Sequence, residues 1–148
     1  MTNNKRGMQL SSSQGGESKG PRALRILVAD DERDTVLTLV MLLRDEGHEV
    51  RGVHSGRQAL AVAPEFEPDV MLLDIALPDL SGWEVARQIR NRTGDKGPML
   101  IGISGEYRQG SDRILSEIIG FNHYLVKPYE PNALLALLHP LTLQGCDR

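Results

Sequence analysis

One cysteine, Cys146, stands in the 148 residues. A single thiol excludes an internal disulfide and a cysteine metal cluster, and it fits a reducing cytoplasm. No apolar run reaches the roughly 20 residues of a membrane span. The N-terminus lacks the apolar core of a signal peptide. A basic excess is missing too. The 17 Lys and Arg against 20 Asp and Glu leave a formal charge of -3, which gives no general attraction to nucleic acid or to an anionic membrane. What is present, 40% apolar and 25% charged residues, suits one globular domain with a real core.

Residues 1–21 are rich in Ser, Gly, Asn and Gln and have no apolar period. Such a segment cannot repay the entropy of ordering, so it reads as a flexible tail. The domain is expected over 22–143, with a short tail at 144–148. Strand and helix patterns alternate within it. Strands are expected at 24–29, 48–53, 70–73, 99–103 and 124–126, each short and rich in branched residues. Val36, Leu39, Val40 and Leu43 fall at helical spacing. A second helix starts at a Ser55/Gln58 capping box and runs to about Ala63, before Pro64. Ser81 and Glu84 repeat that pattern before the third. A short helix is expected at 112–120, and Pro131 suits the first position of the last one. The result is (βα) five times over. It predicts an α/β fold with a five-stranded parallel sheet and helices on both faces.

In such a sheet, ligands bind beyond the carboxyl ends of the strands. The expected strands end in Asp30-Asp31, in Asp74 and in Ser104, and the fifth is followed by Lys127-Pro128. Clustered carboxylates repel, and a hard divalent cation such as Mg2+ relieves that repulsion. Lys127 adds a fixed positive charge and Ser104 a small donor. The set suits a phosphoryl group carried by Asp74, since an aspartate can attack phosphorus and become an acyl phosphate. The plainer reading makes Asp30 and Asp31 a helix cap and first-turn acid. Asp74 and Lys127 in the same sequence favour the metal reading.

The segments "ILVADDERD", "LLDIALPDLSGWEV", "IGIS" and "YLVKP" stand in an order and at separations that resemble the receiver domain of two-component response regulators. The resemblance covers about Arg22 to Leu143. It implies a doubly wound, flavodoxin-like fold with strand order 2-1-3-4-5. It also implies Mg2+ dependence and phosphorylation by a histidine kinase or histidine phosphotransfer protein. By position, Asp74 resembles the phosphoacceptor and a Mg2+ ligand, Asp31 a direct Mg2+ ligand and Asp30 a ligand acting largely through water. The backbone carbonyl of Ala76 resembles the remaining metal ligand. Ser104 matches the switch hydroxyl, Lys127 the phosphate-binding lysine and Tyr124 the switch aromatic. Ser104 and Gly105 stand where Thr and Ala are common, which implies a looser switch.

Signalling by protein contact is expected, without a DNA-binding module, either in a stand-alone receiver or in one cut from a hybrid histidine kinase. A homodimer through the last two helices and the fifth strand is the further implication, and Phe121 and Leu135 are candidates for a partner surface. The four histidines and Trp83 read as structural or surface residues. An aspartyl phosphatase would need a second acid two residues after its nucleophile, where this chain has Ala76. A flavin carrier of the same fold would not place "DDERD" against a phosphate.

Overall fold

The computed structural model describes residues 22–105 and 120–143. Its elements are β1 (Arg25–Ala29), α1 (Arg33–Asp45), β2 (Glu49–Val53), α2 (Gly56–Phe66) and β3 (Val70–Asp74). Then come α3 (Gly82–Thr93), a 3-10 turn (Gly94–Lys96), β4 (Met99–Ser104), β5 (His123–Val126) and α4 (Pro131–Thr142). The helix expected at 112–120 and both tails lie outside the described residues, apart from Gly120 at that helix's end.

The five strands form one parallel sheet, as the alternating pattern implies, in the order β2-β1-β3-β4-β5 that the family resemblance implies. Side chains alternate across it. Ile26, Val28, Val70, Leu72, Ile101 and Ile103 face α1 and α4. Leu27, Ala29, Met71, Leu73 and Leu100 face α2 and α3. Central β3 is buried at every residue, so both of its faces must be apolar, and its only charge falls on the last position.

Two local expectations are corrected. First, α2 continues past Ala63 to Phe66 with Pro64 inside it. A proline there cannot donate to the carbonyl four residues back, that of Leu60. The Arg92 guanidinium of α3 donates to that carbonyl instead, at 3.3 Å. Second, the capping boxes are one-sided. Ser55 and Ser81 accept from the N–H groups of Gln58 and Glu84 at 3.1 and 3.3 Å. The return bonds do not form, because Gln58 accepts from the His54 N–H and Glu84 from Arg87 and Gln88.

Phe121 is not a surface residue. It is buried against the α2–α3 core, edge-on to Trp83 at 5.6 Å. Leu135 is half-buried against the other core.

Candidate functional site

Register places the acids. Ala29 aligns with Leu73, so one step further along both strands sets Asp30 beside Asp74. Asp74 in turn aligns with Ile103, and Ser104 with Val126, one residue before Lys127. The Lys127 N–H donates to the Ser104 carbonyl at 2.7 Å, which seats the lysine at the same rim. The Lys127–Pro128 peptide is cis.

Carboxylate oxygens of Asp30, Asp31 and Asp74 lie within 4.8 Å of one another. Asp30 and Asp74 are only 3% and 7% exposed, whereas Asp31 opens to solvent. Each buried acid has one oxygen fixed by the backbone. Asp30 Oδ1 accepts the Glu32 N–H at 2.9 Å, and Asp74 Oδ1 accepts the Ala76 N–H at 3.0 Å. Their second oxygens face one cation. Lys127 Nζ lies 3.0 Å from Asp30 Oδ2 and 3.8 Å from Asp74 Oδ2.

One ammonium does not neutralise three acids. Burial pushes the Asp74 carboxyl up from its ordinary range; the Ala76 N–H opposes this, Asp30 adds to it and Lys127 opposes. For Lys127, loss of water works downward, but the hydrogen bond to Asp30 and the charges of Asp30 and Asp74 outweigh it. The ammonium is therefore held charged. The donor set fits a hard divalent ion: oxygen ligands only, excess negative charge, a span one hydrated ion covers, and an open side at Asp31.

Thus the structure gathers Asp30, Asp31, Asp74 and Lys127, with Ala76 bonded to Asp74. Ser104 ends the neighbouring strand. Tyr124 lies one strand further out, its ring stacked on Trp83 at 6.2 Å and 16°. Gly102 makes room there, since a Cβ would lie 3.1 Å from both Tyr124 and Phe121. Sequence reasoning gave Trp83 no part in this cluster. It also missed Asp79, whose carboxylate takes the first two N–H groups of α2. A Pro-Asp pair signals a turn but not a partner in another element.

A doubly wound sheet with three acids and a lysine at its carboxyl rim defines the CheY-like class of signalling fold. The chain belongs to the response regulator receiver domain family, which matches residues 26–139, and so to two-component signalling. It is 36% identical over 118 residues to response regulator MprA of Mycobacterium avium (strain 104), covering 80% of this chain and 50% of that protein. It is 34% identical over 112 residues to DNA-binding response regulator MtrA of Mycobacterium leprae (strain TN), covering 76% and 48%. The chain thus spans about half the length of these curated relatives.

Among solved structures, chemotaxis response regulator CheY4 of Vibrio cholerae superposes with a TM-score of 0.73 at 27% identity, covering 80% of this chain and 98% of that one. The receiver domain of sensor histidine kinase PA1611 from Pseudomonas aeruginosa PAO1 gives 0.71 at 30% identity, covering 80% and 96%. That structure has a magnesium ion coordinated in its active site cleft. No helix among the described residues is long and apolar enough to cross a membrane.

Proposed function

We propose that this receiver is a phosphoacceptor switch that takes its phosphoryl group on Asp74. The observation that carries the reading is Lys127 Nζ set between the second oxygens of Asp30 and Asp74, at 3.0 and 3.8 Å, on one side of an acid cluster. Asp31, Asp30 and the Ala76 carbonyl would hold Mg2+ beside Asp74. When bound, the ion supplies the charge that lets a phosphoryl group approach three carboxylates. The chain's own work is alignment and neutralisation. The Ala76 N–H fixes the plane of the Asp74 carboxylate, and Lys127 meets a phosphoryl oxygen.

The donor is a phosphohistidine of a histidine kinase or phosphotransfer protein. A carboxylate oxygen of Asp74 bonds to phosphorus, the phosphorus–nitrogen bond breaks, and the imidazole leaves with that electron pair and takes a proton. Ser104 then donates to a phosphoryl oxygen and Tyr124 repacks, which shifts a two-state equilibrium at the surface of β5 and α4. Signalling by protein contact in the cytoplasm, with a homodimer through that surface, goes with this reading. The likeness to the PA1611 receiver favours a second setting, service within a hybrid histidine kinase.

The test is incubation with Mg2+ and acetyl phosphate, followed by intact mass and size-exclusion elution. Wild type gains one phosphoryl group, and Asp74→Ala gains none. An equal adduct on Asp74→Ala removes the assignment.

A further inference from the structure

We infer that Asp79 is a positioning residue for the metal-binding loop: it ties the segment after Asp74 to the first turn of α2, and so fixes where the Ala76 carbonyl stands. The inference rests on the Mg2+ reading above.

Residues 75–81 connect Asp74 to α3. One end of this loop is pinned by the sheet, with the Ile75 N–H donating to Ile103 and the Gly82 N–H to Ile75, both at 2.9 Å. Among the described side chains, Asp79 is the one that ties the outer part of the loop to another element. Its Oδ1 accepts the Gly56 N–H at 2.8 Å and its Oδ2 the Arg57 N–H at 2.9 Å. Partial desolvation works against this carboxylate's charge, but the N–H groups of Arg57, Gly56 and Leu80 outweigh it and draw its pKa to about 2. The tie therefore persists across the physiological range.

The contact is close as well as charged. A Cβ on Gly56 would lie 2.8 Å from both the Cβ and the carbonyl oxygen of Leu80. Only glycine lets this loop sit flush on the helix. The helix is a firm platform, because Ala59, Ala63 and Phe66 are buried in the α2–α3 core. The residues leading into it also reach the other acid-bearing loop. His54 Nδ1 lies 3.3 Å from the Asp30 carbonyl oxygen. A carbonyl only accepts, so Nδ1 carries the proton. The start of α2 thus brackets both loops that deliver acids, though Asp79 itself lies outside the acid cluster.

A plain helix cap would stabilise α2 and do nothing for metal binding. Ser55→Ala supplies that control, since Ser55 caps Gln58 on the same helix and does not hold the loop. Mg2+ binding is measured by calorimetry and by the fluorescence of Trp83, the sole tryptophan. Asp79→Ala is expected to raise the Mg2+ Kd about tenfold, while Ser55→Ala stays within about twofold of wild type at a comparable loss of Tm. Asp79→Asn, which keeps an acceptor oxygen, recovers part of the affinity. In Mg2+-free protein, the amides of residues 76, 77, 79 and 80 exchange faster in Asp79→Ala and not in Ser55→Ala. Wild-type Kd and exchange in Asp79→Ala would overturn the inference, and so would an equal loss of affinity in Ser55→Ala. Absence of Mg2+ binding by wild type would instead remove the metal reading, and the exchange comparison would still decide whether Asp79 holds the loop.

Discussion

At the amino end of the strands, Asp69, His48 and Arg90 each meet partners of their own. Asp69 accepts the Arg25 N–H at 2.8 Å and lies 3.5 Å from Arg22. His48 Nδ1 accepts the Leu24 N–H at 3.0 Å. Arg90 donates to the Gly120 and Pro98 carbonyls and to Asn122 Oδ1 at 3.1, 3.0 and 2.7 Å. At the carboxyl end, three acids cluster and one ammonium contacts two of them, the two that are buried. Both ends cap the same sheet, so folding alone does not require the second arrangement. Charge left unbalanced at one end only marks where a ligand completes the structure.

Arg90→Ala tests the separation most strongly. It leaves three acceptors without their cation and removes the stem that packs on Gly120, where φ is +108° and a Cβ would lie 2.7 Å from Arg90 Cγ. A cost of about 2–3 kcal/mol is expected from the urea midpoint at constant m-value. Arg90→Lys rescues little, because an ammonium cannot reach three acceptors with the geometry of a fork. Mg2+ affinity should stay at the wild-type value. A changed affinity would break the division between the two ends.

Asp74→Asn should act in the opposite sense. Burial raises the Asp74 pKa in the folded chain, so the folded state holds its proton more tightly than the unfolded state does. Stability from this group is therefore greatest at low pH and falls as pH rises through the raised value. At neutral pH the ionised carboxylate opposes folding. In EDTA at pH 7, Asp74→Asn should melt above wild type, and the gap should close as the pH falls below the carboxylate range. Mg2+ should raise the wild-type Tm and reverse the order. A neutral variant that melts lower in EDTA would show that the acid cluster carries no strain.

The sheet was legible because burial on two faces writes short apolar runs, and because a parallel sheet aligns successive strand ends. Asp30, Asp31, Asp74 and Lys127 could be named from that rule alone. Partners within the folded chain were not legible. Asp79 meets Gly56 across 23 residues, and Arg90 meets Asn122 across 32, with no periodicity to announce either. Pro64 misled for a related reason: it reads as a helix end until Arg92 takes up the Leu60 carbonyl. Phe121 reads as a partner contact until the Trp83 ring closes over it.

The smallest effect lies at the balanced end. Burial depresses the His48 pKa from 6.5, with Glu46 opposing. Its Nδ1 is an acceptor for a backbone N–H, a role only the neutral ring can fill. The folded chain thus binds this proton less readily than the unfolded chain. Its contribution is complete above pH 6.5 and declines as pH falls below that value, levelling off once the folded ring is protonated. Wild type should lose Tm over that range more steeply than His48→Gln, whose side-chain oxygen offers an acceptor that does not titrate. Mg2+ at a fixed saturating level should leave the difference in slope unchanged, because the histidine sits at the opposite end of β1 from the acids. Equal slopes would mean that the Leu24 contact is satisfied without the ring nitrogen.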